Sequence, residues 1–120
     1  MIRKMLQTGL CAVALFMAVP AFAGEAKVPT TTAEHFALAK QYQEQAAAQR
    51  KVAQEHRDMA AAYKNSTLNS HAAAHGQKDP RVEKAVKHCD AIASAAETLA
   101  TADEKAADFH TLRGKELQGK

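Results

Sequence analysis

Residues able to bind metals or exchange protons recur at seven-residue intervals in two long stretches of this chain. The first stretch carries two imidazoles, a phenol and an amide, and the second carries a thiol, a carboxylate and an imidazole. Because seven residues are close to two turns of an α-helix, the members of each set lie on one side of a helix. We call these residues together the central row: His35, Tyr42, Gln49, His56, Cys89, Asp103 and His110.

The elements that must position the central row are two helices of similar length. The residues three and four places after each member are mainly apolar or small, which is typical of a helix with one packed seam. This pattern predicts helices over about 31–64 and 80–113, joined by a loop over 65–79. A connection this short favours an antiparallel arrangement. We therefore expect an all-α fold, an antiparallel helical hairpin of two long Ala-rich helices spanning 31–114.

Both helix starts have clear local signals. Thr31 and Glu34 have the spacing of a capping box, in which each side chain accepts a hydrogen bond from the other residue's backbone N–H. Asp79 is an acidic cap for the second helix, and Pro80 stands at the first helical position, where proline is favoured.

The helix ends depend on glycine. Gly114 is expected to take a left-handed cap and end the second helix, which leaves 115–120 as a C-terminal tail. Within the loop, Ser70 and Gly76 bracket a stretch that is expected to form about one and a half helical turns.

The N-terminus has the pattern of a cleavable signal peptide. Two basic residues precede an apolar stretch from Met5 to Val19, and the small-residue pattern Ala21-Phe22-Ala23 follows. We expect residues 1–23 to be removed and 24–30 to form a mobile lead-in. The expected location is a bacterial periplasm.

Charge, aromatic content and hydropathy argue against two classes of partner, nucleic acids and lipid bilayers. Removing Arg3 and Lys4 would lower the formal net charge from +3 to +1, and aromatic residues are only 5% of the chain. Basic and acidic residues are interspersed along both helices, so there is no basic stripe, and no aromatic residues are interleaved to stack on the bases of a nucleic acid. No later segment has the length and hydropathy to span a bilayer, so stable membrane insertion is not expected.

The strongest candidate for chemistry is a soft-metal site. If the two helices pair in sequence from the loop, His56 faces Cys89, and Met59 lies one turn from His56 on the same side. Thiolate, thioether and imidazole suit Cu(I), whereas two copies of Cys89 and His56 across a dimer axis would give a tetrahedral Zn site. The candidate metal ligands are therefore His56, Met59 and Cys89.

Two other roles for this cluster remain open. A buried cysteine often packs as a small apolar residue, and a histidine in an Ala-rich seam can serve only to fix the register of the helices. In an oxidising compartment, Cys89 can also join two chains through a disulfide.

The same register pairs Gln49 with Ala96 and predicts contacts towards the open end of the hairpin. His35 faces His110, and Tyr42 is expected to donate a hydrogen bond to Asp103. A structural role is the simpler interpretation of these residues. The alternative is a second, weaker metal site formed by His35, His110 and Asp103. His71 and His75, four residues apart in the loop, can be a surface metal clip or simply solvated.

The stretch His56-Arg-Asp-Met59-Ala-Ala-Ala-Tyr63, followed by Lys87-His88-Cys89 and an Ala-rich second helix, resembles a group of small exported bacterial helical-hairpin proteins of unassigned function. The resemblance covers most of the chain after residue 23. It implies a hairpin fold and export, and it brings no established activity.

One hairpin of this size has little to bury, so self-association is expected. The few large apolar residues are expected in the seam, and the Ala rows would let backbones approach closely, as in a homodimeric four-helix bundle. No nucleophile with an adjacent base and a pocket is evident, so an enzyme is not expected. The sequence predicts a periplasmic binding protein for Cu(I) or Zn, or alternatively a structural or client-binding coiled coil without metal. Neither interpretation identifies another protein partner.

Overall fold

The fold is a helical hairpin, seen in a computed structural model that describes residues 27–120. Helix α1 spans Thr32–Lys64, the short helix α2 spans Thr67–Ala74, and helix α3 spans Pro80–Gln118. No strand occurs within 27–120, so the predicted all-α hairpin is confirmed. The predicted signal peptide, residues 1–23, and the first three residues of the lead-in, 24–26, lie outside the described residues.

Helix α1 begins at the predicted capping box. The backbone N–H of Glu34 donates to Oγ1 of Thr31 over 3.2 Å, and the Glu34 carboxylate accepts from the Thr31 N–H over 3.1 Å. The same carboxylate pairs with Nζ of Lys27 at 2.7 Å and accepts from the Thr30 N–H. The hydrogen bond from Lys27, followed by those from the backbone, lowers the pKa of Glu34 to about 2. Glu34 therefore stays ionised, and its negative charge interacts favourably with the positive N-terminal end of the helix dipole.

Helix α3 begins with the predicted Asp79-Pro80 pair. Oδ1 of Asp79 accepts from the backbone N–H of Arg81 over 2.8 Å, and the guanidinium of Arg81 pairs with the same carboxylate. These hydrogen bonds, first from the Arg81 side chain and then from its backbone, lower the pKa of Asp79 to about 2. Pro80 occupies the first turn, where its missing N–H costs no helical hydrogen bond.

The predicted end of the second helix is wrong. Helix α3 does not stop at residue 113 but runs through Gly114 to Gln118, so most of the predicted 115–120 tail is helical. The physical reason is a close contact: Gly114 is buried against the ring of Phe36, where a Cβ would lie 2.6 Å from Cε1. Gly114 therefore serves packing between the two long helices instead of a left-handed cap.

The loop helix starts earlier than predicted. Ser66, and not Ser70, occupies the N-cap position of α2, and the helix ends at Ala74. Gly76 follows with a φ of 68°, a left-handed conformation that favours glycine. The prediction that Gly76 ends this helix is confirmed.

Small residues form the interface between α1 and α3. The apolar core contains Val82 and Cys89, but every other member is alanine. Large apolar side chains lie mostly outside this seam: Leu99 is 48% exposed, Phe109 61% and Leu112 59%. The expectation that they fill the seam is wrong, because alanine lets the two backbones approach so closely that larger side chains are displaced to the edges. The buried alanines, as the Ala rows predicted, are Ala39, Ala46, Ala53, Ala60, Ala93, Ala96, Ala100 and Ala107.

The two edges of the hairpin differ in chemistry. On α1, Arg50 and Arg57 lie four residues after buried alanines, and both pair with Glu97 of α3. Arg50 also binds the carboxylate of Glu104, with Nη2 at 2.7 Å from Oε1. Three α1 members of the central row follow buried alanines by three places instead of four, so they lie half-buried along the opposite edge: Tyr42, Gln49 and His56. His35, which precedes Ala39 by four places, is buried in the interface.

Candidate functional site

The imidazoles of His35 and His110 meet near the open end of the hairpin. Their Nδ1 atoms are 2.9 Å apart, and the ring centroids are separated by 5.2 Å. One Nδ1–H donates to the other Nδ1, so the accepting nitrogen must be unprotonated. This contact confirms the predicted pairing of His35 with His110 and, with it, the antiparallel register at this end.

Aromatic side chains hold His110 in place. The ring of Tyr42 stacks on it, with centroids 5.7 Å apart and planes 6° from parallel, and Phe109 meets it edge-on at 5.2 Å. His35 is only 6% exposed, whereas His110 is half-buried. Burial, together with the charge of His35, lowers the pKa of His110 below the usual 6.5. The surroundings thus favour the neutral imidazole that the hydrogen bond requires.

Tyr42 does not form the predicted contact with Asp103. Its ring stacks on His110, one heptad further along α3, and among residues 27–120 it makes no hydrogen bond to Asp103. The reason is the direction of helical side chains, which lean towards the N-terminus of their own helix. On α1 that direction is the open end of the hairpin, where His110 lies.

The register of the hairpin predicts that Cys89 and His56 lie near one level. His56 lies three heptads after His35, and Cys89 lies three heptads before His110, so the pairing of His35 with His110 carries over to them by the shared heptad spacing. Cys89 is a free cysteine and is 2% exposed. His56 is half-buried, and its Nδ1 is fully buried without a hydrogen-bond partner among the described residues. The thiol therefore does not satisfy this nitrogen.

The third candidate ligand of the soft-metal site lies further out. Met59 is on the same side of α1 as His56 but is 45% exposed, so its thioether is at the rim of the hairpin edge. Across residues 27–120, no three His, Cys, Asp or Glu side chains converge in a manner that would hold a metal ion. In this conformation His35 and His110 form a pair without Asp103, and the set His56, Met59 and Cys89 depends on a sulfur ligand at the surface.

The two loop histidines are also near each other. The rings of His71 and His75 lie 5.2 Å apart on α2 and its C-cap, and both residues are exposed. Their spacing agrees with either a surface clip or simple solvation, so both interpretations stay open.

Besides the contact of Gly114 with Phe36, two other features of the hairpin edges were not predicted from the sequence. The charge cluster of Arg50 and Arg57 with Glu97 and Glu104 had a signal in the sequence. The two arginines are seven residues apart on α1, and the two glutamates are seven residues apart on α3. The stacking of Tyr42 on His110 had no such signal, since it depends on how side chains lean within the assembled hairpin.

No helix within residues 27–120 is both long and apolar enough to cross a lipid bilayer. Comparison of the chain with protein-family models, with curated proteins and with solved structures finds no match.

Proposed function

We propose that this chain is an exported, non-enzymatic binding protein of the bacterial periplasm that takes a soft metal ion, Cu(I) before Zn, through His56, Met59 and Cys89. The observation that carries the proposal is the buried Nδ1 of His56, which has no hydrogen-bond partner within the described chain. The heptad register predicts that Cys89, a buried and free thiol, lies near the same level. Leaving a buried polar atom unpaired generally costs about 1–3 kcal/mol. A bound metal would remove that cost.

The chemistry of the three ligands favours a soft ion. Binding would convert the Cys89 thiol to a thiolate, which is the metal-ligating form, with release of its proton. The thioether of Met59 adds a second soft donor, and its three rotatable bonds allow it to fold inwards from its 45% exposed position. Sulfur donors of this kind select Cu(I), whereas imidazole also accepts Zn.

Self-association into a homodimeric four-helix bundle belongs to the same proposal. The interface between α1 and α3 consists mainly of alanine and has no large side chain below 2% exposure, so one hairpin buries little apolar surface. Apolar side chains remain available at the edges, Leu99 and Met59 among them. A second copy could also bring another Cys89 and His56, which together would form a tetrahedral Zn site.

A structural or client-binding coiled coil is the second candidate. It is favoured by the exposure of Phe109 and Leu112 and by the lack of a converging three-ligand group in residues 27–120. In this alternative, Cys89 packs as a small apolar residue and His56 only fixes the register.

A Cu(I) titration distinguishes the two candidates. The exported chain, purified reduced and without oxygen, is titrated against a chromogenic Cu(I) chelator beside Cys89→Ser and His56→Gln. The control is His88→Gln, which removes an exposed imidazole next to the thiol. Metal handling predicts about one Cu(I) per chain or per dimer, lost in Cys89→Ser and weakened in His56→Gln, with His88→Gln unchanged. Equal Cu(I) binding by Cys89→Ser and the unsubstituted chain would rule out this site.

Sedimentation of the same samples tests the oligomeric part of the proposal. A four-helix bundle predicts a dimer, and non-reducing electrophoresis shows whether a Cys89 disulfide contributes to it. A monomer at high protein concentration would contradict the proposed bundle and leave the metal proposal to be judged on the titration alone.

A further inference from the structure

We infer that His35 and His110 form a second metal site, which binds a divalent ion that prefers imidazole, such as Zn²⁺, between their two Nδ1 atoms. This site shares no residue with the proposed thiol site and does not depend on it. It also differs from the His35, His110 and Asp103 set expected from the sequence, because Asp103 is not among its ligands.

The distance between the two nitrogens is close to what a shared ion needs. The Nδ1 atoms are 2.9 Å apart and joined by a hydrogen bond, so the accepting lone pair already points at the other ring nitrogen. Zn–N bonds of about 2.0–2.1 Å in a tetrahedral arrangement place two ligand nitrogens about 3.3 Å apart. The two nitrogens therefore have to separate by about 0.4 Å, and each ring has to turn so that the Nδ1 lone pairs, which lie along the line between the rings, meet at the ion instead.

The packing around the pair holds both rings close together, with their Nδ1 atoms facing each other, before any ion arrives. His35 is 6% exposed in the interface, and the stacked ring of Tyr42, with planes 6° from parallel, sets the plane of His110. The hydrogen bond between the rings fixes which nitrogen of each ring faces the other. A site whose ligands are already oriented loses less conformational entropy on binding.

The surroundings of the pair also favour the neutral form of imidazole, which is the form that binds a metal cation. Metal-ligating imidazole must be neutral, and the surroundings lower the pKa of His110. The half-buried position of His110 leaves a path to solvent, so water can complete the coordination shell. With two protein ligands and no third converging group in residues 27–120, the site is an open one and weaker than a closed structural site.

The proton balance of binding is simple. In the hydrogen-bonded pair, one ring carries its proton on Nδ1 and the other on Nε2. When Zn²⁺ binds both Nδ1 atoms, the first ring gives up its Nδ1 proton to solvent and takes one on Nε2, so each ring stays neutral. Near neutral pH no net proton is released, whereas at acidic pH protonation of either ring competes with the metal.

Zn²⁺ titration by calorimetry tests the site, using the exported chain with Cys89→Ser to remove the thiol. We expect one Zn²⁺ per chain, with binding weakened by at least about tenfold when either His35→Gln or His110→Gln is added. The matched control adds His71→Gln and His75→Gln together, which removes the other histidine pair and should leave the affinity unchanged. Equal affinity with and without His110→Gln, or loss of binding in the loop control, would overturn the inference.

A second measurement does not depend on the variants folding. Long-range ¹H–¹⁵N spectra of the Cys89→Ser chain report each histidine ring nitrogen separately, before and after Zn²⁺. Metal-dependent shifts at Nδ1 of His35 and His110 support the site, and shifts at other histidine nitrogens alone, or no shifts, overturn it. Failure here would leave the Cu(I) result at Cys89 untouched, and loss of the Cu(I) site would leave this result untouched.

Discussion

Gly114 faces the ring of Phe36 so closely that a Cβ placed on Gly114 would lie 2.6 Å from Cε1 and 2.8 Å from Cδ1. Real Cβ atoms do not approach carbon this closely, so any side chain at residue 114 must displace the ring. The contact packs the last turns of α3 against the first turns of α1, at the end of the hairpin opposite the loop.

Gly114→Ala should therefore affect stability differently in two backgrounds. In Phe36→Ala, the substitution should raise the free energy of unfolding by up to about 1 kcal/mol, because alanine favours a helix interior over glycine. With Phe36 present, overpacking of about 1–3 kcal/mol should cancel or reverse that gain. Denaturant unfolding of the four chains at one protein concentration measures the coupling, and equal effects in both backgrounds would contradict the contact.

Ala53 and Ala100 are each 0% exposed in the interface between α1 and α3. Ala53→Leu should destabilise the hairpin by about 1–3 kcal/mol or more, because three added carbons force the backbones apart. The matched control is Ala47→Leu, at an exposed position of the same helix, which should change stability by less than about 0.5 kcal/mol. Similar unfolding midpoints for the two variants would argue against the alanine interface.

The sequence was informative wherever local chemistry decides the structure. The capping box at Thr31 and Glu34, and the acidic cap at Asp79, depend only on residues within one turn. The pairing of His35 with His110 also follows from the sequence, because both helices share a seven-residue period and the loop fixes their register.

The sequence did not predict features of the structure that depend on how the two helices pack against each other. The heptad pattern does not say whether the central row or the neighbouring alanines lie deeper on α1. In the structure the alanines are buried, whereas Tyr42, Gln49 and His56 are half-buried. Gly114 shows the same limit, since a glycine near a helix end can be a cap or a contact. Only the position of Phe36 across the interface distinguishes the two.

Arg50 should contribute more to the stability of the hairpin than its neighbour Lys51. It binds both Glu97 and Glu104 across the interface, whereas Lys51 only approaches Glu55, at 3.9 Å on the same helix. We expect Arg50→Gln to lower the melting temperature more than Lys51→Gln does at low ionic strength, with the difference shrinking as salt screens the charges. Thermal melts at two salt concentrations provide the measurement, and equal melting temperatures for the two variants would contradict a cross-helix role.

Acid should weaken the hairpin through His110. Its pKa is lower in the folded chain than the usual 6.5, so between these two values the unfolded chain binds more protons and stability rises with pH. The contribution is complete above about pH 6.5 and is lost as pH falls through the lowered pKa. Glu34 and Asp79 have pKa values of about 2 in the folded chain against usual values of 4.5 and 3.8, so their contribution to stability is lost mainly below about pH 5 and adds little to a change above it.

Urea unfolding at about pH 7.5 and about pH 5, with protein concentration held constant, measures this effect. The unsubstituted chain should be less stable at the lower pH, and His110→Gln should reduce the difference, because it removes the group whose pKa changes on folding. His88→Gln is the control: His88 is exposed, so its loss should leave the pH dependence as it was. Greater stability at about pH 5, or an equal pH dependence in His110→Gln, would show that proton uptake by His110 does not oppose folding.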